Sequence, residues 1–369
     1  MFDVNAWNRE RYDRDQADLQ RLLDEMSGTL ADRIIALHEQ QLDCGFIRDR
    51  LTSVRRTNLV RPESTTSGGP SGFIVQYNPK RALRFSGSGR REPPIGTPSA
   101  HSGCFLCREN IYWQQFGLEM GYHFSVNDRG YYAWCNPFPF MNRHVTIASD
   151  QHEPQSWIGA DEGGNSKRFE RLMEDLFAIA GQLPGFVVFY NGDGAGASIS
   201  GHRHYHAFQR SPGQSPFPIE RSAEQQMHSG QPPFHILEYP ITSLFFQDRA
   251  EAICHKSTQF VDEWTRFRHS SALMSANIIA YQHKEKEGSD SDCFRAFFVP
   301  RNTYLSTSSG RSETIAGLEV LGEIAFSQEA EFDRLIAGEI DYNYVWRMLR
   351  SVEAAEANAL IKERGAHLF

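Results

Sequence analysis

Gly201-His202-Arg203-His204-Tyr205-His206-Ala207-Phe208 constrains this chain more than any other stretch. Its three histidines alternate with other residues, and side chains on a strand repeat every two residues. As a strand, the segment puts all three imidazoles on one face, about 6.8 Å apart, two rises of about 3.4 Å. Arg203 then points to the opposite face, with no catalytic role. The rings are close enough to share one site and too far apart to bind one metal together without distortion. The spacing suits divided work: one ring on a metal, one as nucleophile, one on the substrate. Upstream, Tyr190-Asn191-Gly192-Asp193-Gly194-Ala195-Gly196-Ala197-Ser198-Ile199-Ser200 is built from small residues. Such a loop lets backbone N–H groups crowd around an anion. A phosphate-cradling loop that runs into a histidine strand points to chemistry at phosphorus.

The chain of 369 residues, 40% hydrophobic and 12% aromatic, reads as folded, with two domains or two halves. A net charge of -8 argues against a broadly basic nucleic-acid surface and leaves room for a local pocket for one nucleotide. Met1 to Gln16 is polar and charged, without a signal-peptide core, and no apolar run is long enough to span a membrane. Six cysteines in a chain this long do not read as a disulfide framework. A cytoplasmic setting with reduced thiols fits better, and there a close Cys pair favours metal or redox chemistry.

Residues 8–50 carry Leu19, Leu22, Leu23 and Met26, then Ile34, Ile35, Leu37 and Leu42, at helical spacing. This predicts two helices broken near Ser27-Gly28-Thr29, an N-terminal helical appendage over residues 1–60. Residues 61–72 read as a linker, and residues 86–103 as a second Gly/Pro/Ser-rich loop. Strands are expected at 73–77, 131–135, 144–148 and 185–190, with an amphipathic helix over 167–180. A Pro/Ser/Gln-rich connection over 210–234 leads to a second half of similar flavour. There a helix is expected at 259–270, strands at 276–281, 293–299 and 317–326, and helices at 329–336 and 344–357. The pattern is α+β.

Cys104-Phe105-Leu106-Cys107 is a single CxxC. It reads as two zinc ligands, a redox pair, or two ordinary buried cysteines. The redox reading wants a strand before the motif and a helix after it; a long loop precedes it here. Structural zinc takes four tetrahedral N or S ligands, so two thiolates need two partners. His152 and His202 are the candidates, with His144 and His101 competing. A site using His202 would clamp the start of the histidine strand to the CxxC loop and leave His204 unoccupied.

These motifs resemble the histidine triad superfamily. Its strand signature, H-x-H-x-H followed by apolar residues, is matched by His202, His204, His206, Ala207 and Phe208. The layout is closest to the long, two-half branch of galactose-1-phosphate uridylyltransferase, diadenosine tetraphosphate phosphorylase and the GDP-galactose phosphorylases. Cys104 and Cys107 resemble the uridylyltransferase zinc CxxC, and His152 falls where that group carries its third zinc ligand. Asn136-Pro137-Phe138-Pro139 and the strand from His144 resemble the nucleotide-pocket hairpin. Asn191 and the Gly/Ala/Ser loop resemble the phosphate-side loop. The resemblance implies an antiparallel sheet with flanking helices, in two pseudo-repeated halves. The catalytic half would span residues 73–210, and a second half without the triad residues 234–358.

The resemblance further implies that His204 attacks the α-phosphorus of a nucleotide, forming a covalent nucleotidyl-histidine, with structural Zn2+ alongside. A neutral imidazole is a competent nucleophile near pH 7. Asn136, Asn191, Gly194, Gly196 and Ser198 are the substrate-binding candidates, the loop amides meeting phosphoryl charge. Asn136 otherwise caps a turn before Pro, and Asn191 braces its loop. Arg81 and Arg84 read as solvated, and Phe138 and Phe140 as core or as a wall for the base. The chain departs from the long branch at the third triad position: Gln is usual there, and this chain has His206. A protonated His206 would assist leaving-group departure or activate water. Three functions follow: a nucleotidyltransferase or phosphorylase acting on a dinucleoside polyphosphate or nucleotide-sugar, a nucleotide hydrolase, or a zinc-stabilised binding protein without turnover. Neither nucleic acid nor membrane is an expected partner, and the chain would act as a two-half monomer or a homodimer.

Overall fold

The computed structural model describes residues 9–63, 69–86, 89, 92–93, 97, 99–159, 164–228, 230, 232–236, 238–269, 273–283, 293–302 and 315–364. The expected N-terminal helices are α1 (Arg9–Glu25) and α2 (Leu30–Asp43), with Leu19, Leu23, Ile34 and Leu37 on their buried sides. Thr29 opens α2 as a capping box: its amide donates to the Asp32 carboxylate at 2.7 Å, and its hydroxyl oxygen accepts from the Asp32 amide at 3.3 Å. Then come β1 (Arg55–Val60), β2 (Gly72–Tyr77), α3 (Arg108–Gln114), β3 (Gly121–Val126), β4 (Arg129–Cys135), β5 (Val145–Ser149) and α4 (Asn165–Gln182). β6 (Phe186–Asn191) leads through the small-residue loop to β7 (His204–Gln209), followed by α5 (Pro218–Met227) and β8 (Phe234–His235). The chain continues through β9 (Leu244–Arg249), α6 (Ala250–Phe267), β10 (Ser275–Gln282), β11 (Cys293–Arg301), α7 (Gly317–Val320) and β12 (Glu323–Phe326). It closes with α8 (Glu329–Ile336), α9 (Tyr342–Arg350) and α10 (Ala355–Arg364).

Nine strands make one antiparallel sheet in the order β3-β4-β5-β7-β6-β10-β11-β9-β8. Its middle reads the same from either side. The segment β5-α4-β6-β7 lies as β5-β7-β6, and β9-α6-β10-β11 lies as β9-β11-β10. The two units meet where β6 pairs with β10, Tyr190 opposite Ile278. A second, three-stranded sheet has the order β1-β2-β12.

Strand alternation sorts the core into two faces. Val188, Tyr190, Tyr205, Ala207 and Ile278 join Leu176 of α4 and Trp264 of α6. Val187, Phe189, Phe208 and Ile279 join Ile219 of α5, Ile324 of β12 and Val345 of α9. His204 and His206 alternate with Tyr205 and Ala207, so they face the second side.

Helix α1 finishes the sheet edge. Gln16 donates to the Gly121 carbonyl at 2.7 Å and accepts from the Gly121 amide at 2.9 Å. Gln20 does the same with His123, at 2.8 and 2.9 Å. Four residues of helix rise about 6 Å and two of strand about 6.8 Å, so the registers match. Two side-chain amides thus close the ladder that β3 would otherwise leave open.

Several segments differ from the sequence reading. Residues 317–326, expected as one strand, are α7 followed by β12, with Gly322 at φ +95° between them. Residues 344–357, expected as one helix, are divided between α9 and α10. The helix expected at 259–270 begins at Ala250. The 210–234 connection contains α5, whose Pro218 stands in the first turn, where no N–H is needed. The histidine strand begins at His204, so His202 belongs to the turn before it rather than to the same strand face. In the two Gly/Pro/Ser-rich loops, residues 64–68 and most of 87–98 lie outside the described residues. No helix among the described residues is long and apolar enough to cross a membrane.

Candidate functional site

Two turns are clamped together just before β7. The Arg203 amide donates to the Glu153 carbonyl at 2.6 Å, and the Gln155 amide to the Ser200 carbonyl at 2.9 Å. The Arg203 guanidinium, nearly buried, pairs with the Glu153 carboxylate at 3.2 Å. This brings His152 and His202 to the CxxC loop. The candidate ligand atoms of Cys104, Cys107, His152 and His202 all lie within 4.8 Å of one another. Cys104 Sγ is 3.4 Å from His202 Nδ1, and Cys107 Sγ is 3.3 Å from His152 Nδ1 and 3.5 Å from His202 Nδ1.

His202 donates its Nε2–H to the Ser149 carbonyl at 2.8 Å. Its Nδ1 is therefore the bare nitrogen, and it is the one that faces the sulfurs. Hydrogen bonding from Cys107 pulls the Cys104 thiol far below its ordinary pKa. Two soft sulfurs and two imidazole nitrogens this close could hold a metal ion. The competing histidines are placed elsewhere: His101 stacks on the His152 ring at 3.9 Å, and His144 bonds to His206.

His204 is oriented from both sides. Its Nδ1–H donates to the His202 carbonyl at 2.8 Å, which leaves Nε2 as the unprotonated nitrogen. Its own backbone is held by Gln155. The Gln155 Oε1 accepts from the His204 amide at 2.8 Å, and its Nε2 donates to the carbonyls of Asn191 and His204 at 2.7 and 2.9 Å. One fully buried amide thus ties the turn after His152, the end of β6 and the start of β7 together. The sequence marked Gln155 only as part of a turn. Burial lowers the pKa of His204 to about 4, so the ring is neutral near pH 7.

His206 stacks against Phe189 and bonds through Nδ1 to His144 Nε2 at 3.1 Å. Burial, then His204 and Arg81, hold its pKa well below the ordinary value. These surroundings disfavour the protonated form of His206 that the sequence reading expects to assist leaving-group departure.

A cavity of about 490 Å³ opens over this face of the sheet, with His204 and His206 in its wall. Cross-strand pairing builds a row on its floor: Phe189 opposite His206, His206 opposite Thr146, Thr146 opposite Trp134, Trp134 opposite Gly121. Asn136 lines the cavity, while its Oδ1 accepts from the Phe138 amide at 2.9 Å, the turn-capping bond. Asn191 lines it too, its Oδ1 accepting from Asn277 Nδ2 at 2.8 Å and the Gly317 amide at 2.9 Å. Gly196 and Ser198 form part of the wall; Gly194 does not. The Ala195 amide is spent on the Gly192 carbonyl at 2.9 Å, and the tight turn that results carries Gly194 at its bend. Gly196 has φ +103°, and a Cβ there would come within 2.6 Å of the Ala316 Cβ. Arg81 lines the cavity, donating to the Phe138 carbonyl at 2.7 Å and lying over the ring of Phe140. The side chain of Arg84 lies outside the described residues. Phe138 and Phe140 are both buried and lining.

Ala316, Leu318, Glu319 and Ala325 complete the wall, so the second half of the same chain closes the cavity. The sequence pointed to none of these, nor to Thr146, Gln115 or Glu119. They converge only through sheet order, which no local spacing records.

An antiparallel sheet of two mirrored βαββ units, with strand-borne histidines beside a cavity, is a fold this chain shares with solved structures far from it in sequence. Solved structures similar to the chain include those of yeast Ap4A phosphorylase Apa2. One structure of that enzyme has a TM-score of 0.51 at 15% identity, covering 89% of this chain and 97% of that one. Its complex with Ap4A gives 0.52 at 14% identity, covering 89% and 100%, and its complex with AMP 0.51 at 14%, covering 86% and 97%. A family model described as "Domain of unknown function (DUF4922)" matches residues 38–209. No curated protein matches the chain.

Proposed function

We propose that this protein is a nucleotidyltransferase or phosphorylase that works through a covalent nucleotidyl-His204. The observation that carries the reading is the His204 ring itself. It is neutral, its Nδ1–H is tied to the His202 carbonyl, and its bare Nε2 belongs to a residue in the wall of a nucleotide-sized cavity. In the first displacement Nε2 bonds to the α-phosphorus, and the P–O bond to the leaving group breaks. The leaving group departs with that electron pair. In the second, an acceptor oxygen takes the nucleotidyl group and Nε2 is restored. The likeness to Ap4A phosphorylase in fold supports this, because that fold carries nucleotide chemistry in the enzyme named.

His144 and His206 supply a donor. Both rings are neutral, and one proton lies between them. Among the described residues, His144 Nδ1 is buried without a partner. An unpaired lone pair is tolerated there better than an unpaired N–H. His144 Nε2–H therefore donates to His206 Nδ1, and His206 carries its proton on Nε2. A neutral His206 Nε2–H is a hydrogen-bond donor, as a Gln amide is, and suits a phosphoryl oxygen.

We further infer that Cys104, Cys107, His152 and His202 hold structural zinc. Tetrahedral zinc with ordinary bond lengths places S and N ligands about 3.5 Å apart, the spacing seen here. When bound, the ion supplies fixed geometry, pinning the turn that carries the His202 carbonyl.

The hydrolase reading rests on one observation, His206 in place of Gln. The test is to incubate the protein with labelled ATP, GTP, UDP-glucose and dinucleoside polyphosphates, then chase. Acid-labile label discharged by phosphate or a sugar phosphate supports transfer. Label discharged by water alone replaces transfer with hydrolysis. Absence of label and of turnover sinks both.

A further inference from the structure

Strands β6 and β7 separate just before the nucleophile. Their register sets Val188 opposite Ala207 and Phe189 opposite His206, and the pairing stops there. Two steps on, the same register would set Asn191 opposite His204. Antiparallel strands exchange main-chain bonds at every second pair. The Arg210 amide donates to the Gly185 carbonyl at 3.0 Å, so Asn191 and His204 fall on a bonding pair. Neither strand has ended: Asn191 still pairs with Asn277 of β10, and His204 with Ala148 of β5. The groups due to meet bond instead to the Gln155 side chain. Its Oε1 accepts from the His204 amide at 2.8 Å, and its Nε2 donates to the Asn191 and His204 carbonyls at 2.7 and 2.9 Å. A side-chain amide donates and accepts as a peptide unit does, so it stands in the ladder as an extra rung. The Gln155 backbone is engaged as well. Its amide donates to the Ser200 carbonyl at 2.9 Å, and its carbonyl accepts from Tyr190 Oη.

We propose that Gln155 is a positioning residue for the transfer: its amide is a wedge that keeps β6 and β7 apart at His204, holding open the gap between that ring and the small-residue loop. The inference rests on the nucleotidyl-His204 reading above. Directly bonded strands hold opposite Cα atoms about 5.5 Å apart, which leaves no room for an amide with a hydrogen bond of about 2.9 Å on each side. The loop starts at Asn191 and returns through Ser200 to His204. Gln155 bonds to all three, so it fixes where the loop leaves, where it comes back and where the nucleophile's main chain lies. Without the wedge the two strands are free to zip by one more pair and draw the start of the loop toward the ring. A displacement of about 1 Å at a reacting centre costs about 10²-fold in rate.

Single-turnover labelling of the full-length, zinc-loaded protein tests this, using whichever labelled nucleotide modifies the wild type fastest. In Gln155→Ala the labelling rate at saturating nucleotide is expected to fall by about 10²-fold. The dissociation constant of the matching nucleoside monophosphate, read by calorimetric titration, should stay within about threefold of wild type, because Gln155 touches the loop and the nucleophile's backbone and leaves the rest of the cavity wall in place. Labelling within about threefold of wild type overturns the proposal. So does a parallel loss of labelling and of binding, which marks a residue that serves the fold alone; both results leave the nucleotidyl-His204 reading standing. A wild-type protein that takes no label removes that reading and this inference together. If Gln155→Ala does not fold, Gln155→Asn, whose amide is drawn back by one methylene, is read in its place with the same expectation. Failure of both variants to fold makes the residue structural and overturns the proposal.

Discussion

At the residue scale, the proposed chemistry turns on where protons sit on four rings. His202 gives its N–H to Ser149 and His204 gives its N–H to His202, so each presents a bare nitrogen, one to the sulfurs and one, in the proposed reaction, to phosphorus. His204 must be neutral to attack. Burial lowers its folded pKa to about 4, below the ordinary histidine value near 6.5. Protonation is therefore resisted until the pH falls toward the lower value. Labelling of His204 should stay flat from pH 8 to about 5 and decline toward 4. A rapid-quench pH series showing an acid limb centred near 6.5 would remove the claim that burial sets this ring's state. The paired rings yield a second prediction. His206→Gln retains a donor, so it should keep labelling within about tenfold of wild type. His206→Ala loses the donor and should fall by about 10²–10³. Equal losses in the two variants would mean that His206 does something an amide does not.

At the element scale, periodicity made α1, α2 and α4 legible, because their apolar residues fall on one helical stripe. The CxxC and the histidine row were legible for a different reason: their chemistry is carried by adjacent residues. The run through Leu318, Val320, Leu321, Ile324 and Phe326 is buried throughout, so its pattern does not tell a helical turn from a strand. Only the left-handed Gly322 divides it. Helix α5 was hidden by proline and glutamine composition. The edge-capping work of α1 had no sequence signal either, since Gln16 and Gln20 look like any exposed polar pair. That work is measurable. Replacing both with Ala removes four hydrogen bonds and reopens the edge of β3. Because water would reach those groups once the side chains are cut back, the cost should be modest, about 2–4 kcal/mol in urea unfolding. A double variant as stable as wild type would show that the edge needs no cover.

At the scale of the whole molecule, the cavity belongs to both halves. Buried Asn277 of β10 links Asn191 and the Ala195 carbonyl, and it is itself held by the Arg301 guanidinium. The small-residue loop is therefore braced by a strand from the other unit, across the β6–β10 seam. The four candidate metal ligands would do the same for the turns on the near side, joining residues from three separate segments. Cys104→Ser should lose bound zinc and lower the melting temperature by on the order of 10 °C, because ligand binding and folding are one free energy here. Metal analysis by mass spectrometry with parallel calorimetry checks both. A wild-type protein that is folded, fully stable and free of zinc would contradict the assignment. Sheet order explains why so much of this was illegible. Gln115, Glu119, Thr146 and Leu318 meet around one cavity, yet they are scattered along the chain, and pairing partners leave no mark in local sequence.

The most direct measurement is to trap the protein with a labelled nucleotide and locate the bond by mass spectrometry and phosphorus NMR. The account predicts one acid-labile phosphoramidate on Nε2 of His204, absent from His204→Asn. A nucleotide bound in the cavity with no such bond, while substrate is turned over, or turnover undiminished in His204→Asn, would contradict it.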